Sequence, residues 1–250
     1  MCCGTGTNAV DTEAPNVPLS LLTLLAILRA LQLADSAFPL GMFAHSHGLE
    51  GMVRRGLVTS GVELEEFIRN QLEWSVAPAE GVALLNAHRA AALGAIEDLF
   101  AMDRLLLAMR WASELRSAST QAGRRLLAET AGFSWERVLA PYRDAAATGT
   151  TPGAGAVVLG VVAWEAGVPG EIALAGYLHS LTLGTLNAAQ RLLPLTHSQA
   201  QQILSRAQQL TGNLIESIRG RPWQAMSCFT PELDLTAAGH ETDQLRMFAS

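Results

Sequence analysis

Two histidines, His45 and His47, stand one residue apart in a stretch that also contains Asp35 and Glu50. Imidazole and carboxylate groups together can bind borderline metals such as zinc and nickel. Residues two positions apart on a helix nevertheless project to different sides, unlike the i, i+4 histidines of zinc proteases. We therefore expect one histidine to pack and the other to be solvated, and we predict no resident metal and no cofactor.

A metal-binding protein remains the alternative interpretation of these residues. It would be an independent nickel- or zinc-binding protein that uses His45, His47 and His240, with Cys2 and Cys3 as further candidates. Zinc-type sites, however, need four ligands at defined spacing. The three cysteines of the chain are odd in number and lack that spacing, which is typical of reduced thiols in a reducing compartment.

Side chains suited to catalysis are present without the patterns that catalysis requires. Ser46 lies between two histidines, but no Gly-x-Ser-x-Gly elbow is present, and sequence neighbours on a helix point apart. The acidic runs at 63–66 and 97–98 are typical of the first turns of helices, where carboxylates interact with the helix dipole. We predict that the chain is not an enzyme.

The composition limits the class of protein further. Hydrophobic residues make up 49% of the chain and charged residues 16%, so several helices must be buried on more than one face or packed against a partner. No apolar run reaches the roughly 18 residues that a membrane span needs. The net charge of -6 argues against a nucleic-acid partner, and no secretory signal is recognisable. We expect a cytoplasmic protein with no nucleic-acid or membrane partner.

Apolar residues recur at helical spacing along most of the chain, without the alternating pattern of strands. Residues 1–17 are rich in Gly, Thr, Asn and Pro and predict a disordered leader. Ser60 and Glu63 form a capping box, and Gly56 can end the preceding helix. We predict an all-α fold, a single-domain multi-helix bundle over 18–250. The predicted helices are 21–34, 43–55, 61–76, 80–93, 103–130, 135–140, 154–165, 170–193 and 198–218.

Two segments lack helical periodicity. Gly and Pro in 148–153 give the strongest break in the chain, which we interpret as an interhelical loop. The C-terminal tail, about 226–250, is predicted to be irregular but carries apolar residues, among them Leu233, Met247 and Phe248. A tail that only met solvent would not need these groups, so we expect it to dock on the domain or on a partner.

Four blocks of sequence stand in a fixed order and carry a family resemblance. The blocks are Gln32-Leu33-x-Asp35-Ser36-x-Phe38-Pro39-x-Gly41-x-Phe43-x-x-Ser46-x-Gly48-Leu49-Glu50; Arg116-x-x-Ser119 with Gly123-Arg124; Ala188-Ala189-x-Arg191-Leu192-x-Pro194-Leu195; and Pro231-x-Leu233-Asp234 with His240-Glu241 and Arg246-Met247-Phe248-x-Ser250. In this order they resemble the F-type urease accessory proteins, the UreF family. The chain departs from the family's pattern at Met42, 151–154 and 196–197.

The resemblance implies an all-helical scaffold without an active site. Such a protein bridges the D/H-type accessory protein and the G-type GTPase, and it promotes GTP-dependent nickel insertion into apo-urease, with nickel as the cargo. This is the role of a chaperone in metallocentre assembly. The expected partners are these two accessory proteins, the urease apoprotein and a second copy of the chain, as a homodimer within the complex.

The resemblance also implies partner-binding residues in each block. Arg116 and Arg124 lie eight residues apart, so on one helix they would share a side and could bind a partner's carboxylates. The predicted partner-binding residues are His45, Ser46, Arg116, Arg124, Arg191, His240, Glu241, Arg246 and Phe248.

Overall fold

The computed structural model of the chain describes residues 20–35, 46–133, 137–240 and 247–248, with the backbone alone for 237–240. Helices dominate these residues and none of them belongs to a β-strand, so the predicted all-α class is confirmed. The predicted leader, 1–17, lies outside the described residues.

The described helices follow one another with short connections. They are α1 (Leu21–Ala34), α2 (Leu49–Arg54), α3 (Gly61–Gln71), α4 (Val82–Leu93), α5 (Ile96–Ala108), α6 (Ser113–Glu129), α7 (Leu139–Ala147), α8 (Gly155–Glu165), α9 (Gly170–Leu192), α10 (His197–Ile218) and α11 (Pro231–His240). A π-helical segment, Leu72–Gly81, joins α3 to α4. The bounds of α1 are as predicted, and those of α8, α9 and α10 differ from the prediction by one residue at one end.

The core is built around α8, whose sequence offers no polar face. Its residues 156–163 are all buried, because alanine, valine, leucine and glycine occupy every side of the helix. Gly160 allows a close approach of α4: a Cβ atom at this position would lie 2.5 Å from the Leu84 carbonyl oxygen and 2.8 Å from the Ala87 Cβ. The two helices therefore meet backbone to backbone at the centre of the fold.

Pro78 does not separate two helices, and the prediction of a break there is wrong. Proline has no N–H to donate, so a helix that contains it loses a hydrogen bond to the carbonyl four residues earlier. Here the helix widens into the π-helical segment. The carbonyl oxygen of Trp74 accepts the Phe229 N–H at 2.9 Å, and that of Pro78 accepts the Ser227 N–H at 3.1 Å. The C-terminal tail therefore donates hydrogen bonds to two carbonyls of this segment.

The prediction of one long helix over 103–130 is also wrong, because α5 ends at Ala108 and α6 begins at Ser113. Arg116 lies across the break and donates from Nη1 to the carbonyl oxygens of Arg110 and Trp111, at 2.6 Å each. Carbonyls at a helix end have no partner within the helix. The guanidinium supplies partners for both of these carbonyls and so stabilises the interruption.

Two helices begin later than predicted. The start of α2 is delayed to Leu49 because His47 and Gly48 take the left-handed conformation, with φ of 53° and 86°. The start of α7 is delayed to Leu139, and Pro141 lies in its first turn, where a missing N–H costs little. The Glu165 carboxylate of α8 accepts the amides of residues 138 and 139 and caps this end. Residues 135 and 136 of the predicted helix lie outside the described residues.

The loop 148–153 joins α7 to α8 and is anchored by a buried carboxylate. Asp103 accepts hydrogen bonds from the Tyr142 hydroxyl, the Thr151 hydroxyl and the amides of Gly153 and Ala154, all at 2.6 to 2.7 Å. Burial, followed by the charge of Asp103, raises the pKa of Tyr142 well above its ordinary value, so the phenol stays protonated as a donor. The strongest break in the sequence is thus an ordered connection.

The prediction of an irregular C-terminal tail is wrong in part, because residues 231–240 form α11. Pro231 opens this helix at the position that favours proline. Leu233 and Thr236 are buried, and further on Phe248 is buried as well, whereas Leu235 is exposed. The described part of the tail packs on the rest of the chain.

Alanine substitutions at two helical glycines, one inside the α4–α8 contact and one outside it, should change stability in opposite directions. Gly160→Ala should lower the free energy of unfolding by about 2 kcal/mol, because the new methyl group meets the α4 backbone. Gly212→Ala on α10, where a Cβ would meet nothing within 4 Å, should raise it by about 0.5 to 1 kcal/mol through helix propensity. Urea unfolding followed by circular dichroism measures both, and equal effects would contradict the assignment of α8 as the close-packed centre.

Candidate functional site: the C-terminal clasp

The candidate site is a group of residues that hold the end of the chain, which we name the C-terminal clasp: Ser46 to Arg54, Arg191, and Met247 with Phe248. Its first part is the turn that precedes α2. Ser46 is fully buried, and its Oγ accepts the Glu50 N–H at 3.3 Å, so it acts as a cap for α2. The left-handed turn at 47–48 follows directly.

Glycines of the clasp allow α11 to lie directly against α2. A Cβ at Gly48 would collide with Leu233, and one at Gly51 would lie 2.5 Å from the Thr236 Cγ2. Gly48 also has a positive φ, which other residues adopt only with strain. The Gly-Leu-Glu-Gly segment is therefore required by the approach of the tail helix.

Glu50 is the centre of the clasp. Its side chain is buried, with 1% of the residue exposed, and it accepts backbone amides from Met247 at 2.9 Å and from Phe248 at 3.0 Å. Arg54 Nη2 lies 2.8 Å from Glu50 Oε1 and balances the charge. A buried carboxylate needs such partners, because an uncompensated charge is costly in the interior. Glu50 thereby ties the end of the chain to α2.

Arg191 completes the clasp from α9. Its guanidinium carbon lies 5.8 Å from the centre of the Phe248 ring, within the range of a cation–π interaction. The clasp therefore contains three of the predicted partner-binding residues: Ser46, Arg191 and Phe248. Phe248 is buried and Arg191 is exposed, so within this pair only the arginine faces solvent.

A second polar cluster lies beneath the tail. Glu80 and Arg110 form an ion pair, each with 10% of its side chain exposed, and the Tyr177 hydroxyl donates to Glu80 at 2.9 Å. Arg110 also donates to the Ser75 hydroxyl at 3.4 Å, and that hydroxyl lies 3.3 Å from the Cys228 sulfur of the tail. Burial and then the Glu80 charge raise the pKa of Tyr177 well above its ordinary value, so the phenol remains a donor.

A cavity of about 90 Å³ separates this cluster from α6 and the tail helix. Gln71, His47 and Leu233 are among its lining residues. Gln71 Nε2 donates to the His47 carbonyl oxygen at 3.1 Å. On the tail side, burial raises the pKa of Asp234, while the positive charge of Arg110 opposes the shift. The cluster and the clasp thus form two neighbouring polar supports for one tail.

The other predicted partner-binding residues are dispersed. Arg116 holds the α5–α6 break, and Arg124 is exposed on α6. His240 is the last residue of α11, and the position of its side chain is not described. His45, Glu241 and Arg246 lie outside the described residues.

Sequence reasoning considered Glu50 as a metal ligand and missed its role in the clasp. The signal was present in the Gly-Leu-Glu-Gly segment, where two glycines flank a carboxylate. It missed the Glu80–Arg110 pair entirely, since nothing in the sequence relates a residue of the π-helical segment to one 30 positions later in the α5–α6 break.

Among the residues that the structure describes, no group of three or more His, Cys, Asp or Glu side chains could hold a metal ion. His45, Cys2 and Cys3 are not among them. In the same described part of the chain, every helix is too short or too polar to cross a membrane.

These features define an all-α protein in which a segment near the start of the fold holds the end of the chain. The chain belongs to the urease accessory protein UreF family, because the sequence profile of the family described as UreF matches residues 58–208. The resemblance seen in the four sequence blocks is therefore confirmed.

Individual relatives extend this similarity to nearly the whole chain. The urease accessory protein UreF of Nostoc sp. is 31% identical over 89% of this chain and 95% of its own length. The urease accessory protein UreF 2 of Brucella canis is 31% identical over 92% of this chain and 94% of its own. The urease accessory protein UreF of Paenarthrobacter aurescens is 32% identical over 88% and 96%.

The clasp predicts that the charge of Glu50 holds the tail. Glu50→Gln should make the amides of Met247 and Phe248 exchange with solvent about tenfold faster, because hydrogen bonds to a charged acceptor are stronger than those to an amide oxygen. Hydrogen exchange measured residue by residue tests this. Glu66→Gln, at an exposed carboxylate of α3, is the matched control. Unchanged exchange at both amides in Glu50→Gln would show that the tail is held by other contacts.

Proposed function

We propose that this protein is a non-enzymatic scaffold for urease maturation. It bridges the D/H-type accessory protein and the G-type GTPase and promotes GTP-dependent insertion of nickel into apo-urease in the cytoplasm. The observation that carries the proposal is membership of the UreF family over nearly the whole chain, in a fold whose family signature serves to hold its own tail. The task is one of coupling between interfaces, since nickel is cargo rather than a resident cofactor.

The tail supports this proposal as the partner-facing element. It is held by a few hydrogen bonds and by Leu233 and Phe248, whereas the α4–α8 centre is buried on all sides. Elements with few buried contacts open at lower free energy than the core. A tail of this kind can be captured by a partner without unfolding the scaffold.

The outer face of α1 supports the homodimer. The helix is fixed in place by Arg29, which donates to the Ala166 carbonyl oxygen at 2.7 Å, and by Ser180, which donates to that of Ala34 at 2.7 Å. Its exposed large apolar side chains are all leucines: Leu21, Leu22, Leu24, Leu25, Leu28 and Leu31. The one charged residue of α1, Arg29, is turned towards α8, so two copies can meet through this face without repulsion, as a two-fold interface requires.

The leucine face predicts a specific loss of dimer. Leu28→Glu combined with Leu31→Glu should convert the dimer into a monomer, because four carboxylates would be placed at the interface of two copies. Light scattering coupled to gel filtration measures the molar mass. Leu93→Glu, at an exposed leucine at the end of α4, is the control. A dimer that survives the double substitution would exclude this face as the interface.

Partner capture predicts an effect of shortening the tail. Co-expression with the D/H-type and G-type accessory proteins should give a complex on gel filtration. Deletion of 244–250 should weaken its affinity about tenfold or more while circular dichroism stays helical, since the deletion removes the Glu50 and Arg191 contacts and leaves the core. Leu93→Ala is the control. An unchanged affinity would refute the role of the tail, and no association under any nucleotide or nickel condition would refute the scaffold.

A further inference from the structure

A groove with a volume of about 610 Å³ lies between α3 and the segment that leads into α11. We name it the Trp74 groove. It lies apart from the leucine face of α1 and borders the C-terminal clasp, with which it shares Met52. Buried apolar side chains, including Met52, Val58 and Phe67, form part of its lining. Its size is that of a site for a ligand or a peptide segment.

Large apolar side chains line the groove while remaining open to solvent. Trp74 is 57% exposed, Phe229 75% and Leu57 50%. The backbones of Trp74 and Phe229 are joined by a hydrogen bond of 2.9 Å from the Phe229 N–H to the Trp74 carbonyl oxygen. The two aromatic residues are therefore held at a fixed spacing before any partner arrives, which lowers the entropic cost of binding.

The groove is acidic as well as apolar. Glu63, Glu66 and Glu232 line it, and no arginine is found among the described lining residues of a chain that has no lysine. Hydrogen bonds from the Thr59 hydroxyl and amide lower the pKa of Glu63, so this carboxylate stays ionised. The nearest ion pair, Arg69 with Glu66 at 3.8 Å, is more than half exposed and compensates little.

We propose that the Trp74 groove binds a basic segment of a protein partner, in which an aromatic or aliphatic side chain is flanked by arginine or lysine. The apolar side chain enters between Trp74 and Phe229, and the flanking cations pair with Glu66 and Glu232. Exposed tryptophan is the residue that most often contributes strongly to such interfaces, and it also attracts cations to its ring. Nucleic acids and anionic membrane surfaces are repelled by the same carboxylates.

One wall of the groove is the tail itself. Residues 229–233 line it, and Leu233 also lines the cavity beneath α11. A ligand of the groove therefore binds the chain only while the tail is docked, and it stabilises that state by its own binding energy. The groove links recognition of a basic segment to the position of the tail.

Selection of a random-peptide display library on the full-length chain tests the proposal without any urease component. The peptides enriched should combine arginine or lysine with an aromatic or aliphatic residue, and their binding should weaken as ionic strength rises. Enrichment of acidic or purely apolar peptides, or no enrichment, would overturn the proposal. The outcome is independent of whether the protein acts in urease maturation.

Substitutions locate the binding. Fluorescence anisotropy of an enriched, labelled peptide should show about thirtyfold weaker binding to Trp74→Ala. Trp111→Ala, at another exposed tryptophan that does not line the groove, should leave it unchanged. Glu66→Lys should weaken it as well, whereas Glu129→Lys, at an exposed carboxylate of α6, should not. Equal binding to all four variants would place the peptide elsewhere and overturn the proposal.

Discussion

The tail depends on two main-chain hydrogen bonds to the π-helical segment around Pro78. Proline has no N–H to donate, and the helix that contains it is widened rather than broken. In this segment the carbonyl oxygen of Trp74 accepts the Phe229 amide at 2.9 Å, and that of Pro78 accepts the Ser227 amide at 3.1 Å. These two bonds hold residues 227–229 against the π-helical segment. The contacts of α11 with α2, and of Met247 and Phe248 with Glu50, come later along the same tail.

The structure divides the chain into a close-packed centre and a separately held tail. Gly160 lets α4 and α8 meet backbone to backbone, and α8 is buried on every side. The tail, by contrast, is tied down by Glu50 and by contacts between α11 and the glycines of α2. Elements with few buried contacts open at lower free energy than the core, so the tail can detach while the centre remains intact.

Much of the fold could be predicted from the sequence because its signals are local. The capping box at Ser60 and Glu63 is present as predicted, and the predicted left-handed end at Gly56 is also found. Two of the wrong predictions concern breaks: the sequence predicts a break at Pro78, where the helix continues, and a continuous helix beyond Ala108, where α5 ends. Both errors have the same origin. Backbone groups at these points are satisfied by Phe229 and by Arg116, and such partners are invisible to propensity.

The sequence by itself determined the helical class and the family, because periodicity, capping residues and ordered motifs are properties of nearby residues. It also indicated that the Gly-Leu-Glu segment matters. Only the tertiary structure decided why: Glu50, which the sequence also offered as a metal ligand, accepts backbone amides nearly 200 residues away, at Met247 and Phe248. A carboxylate has the same chemistry in either role. Which role it takes depends on what the fold brings within hydrogen-bonding distance, and that is set by packing across the whole chain.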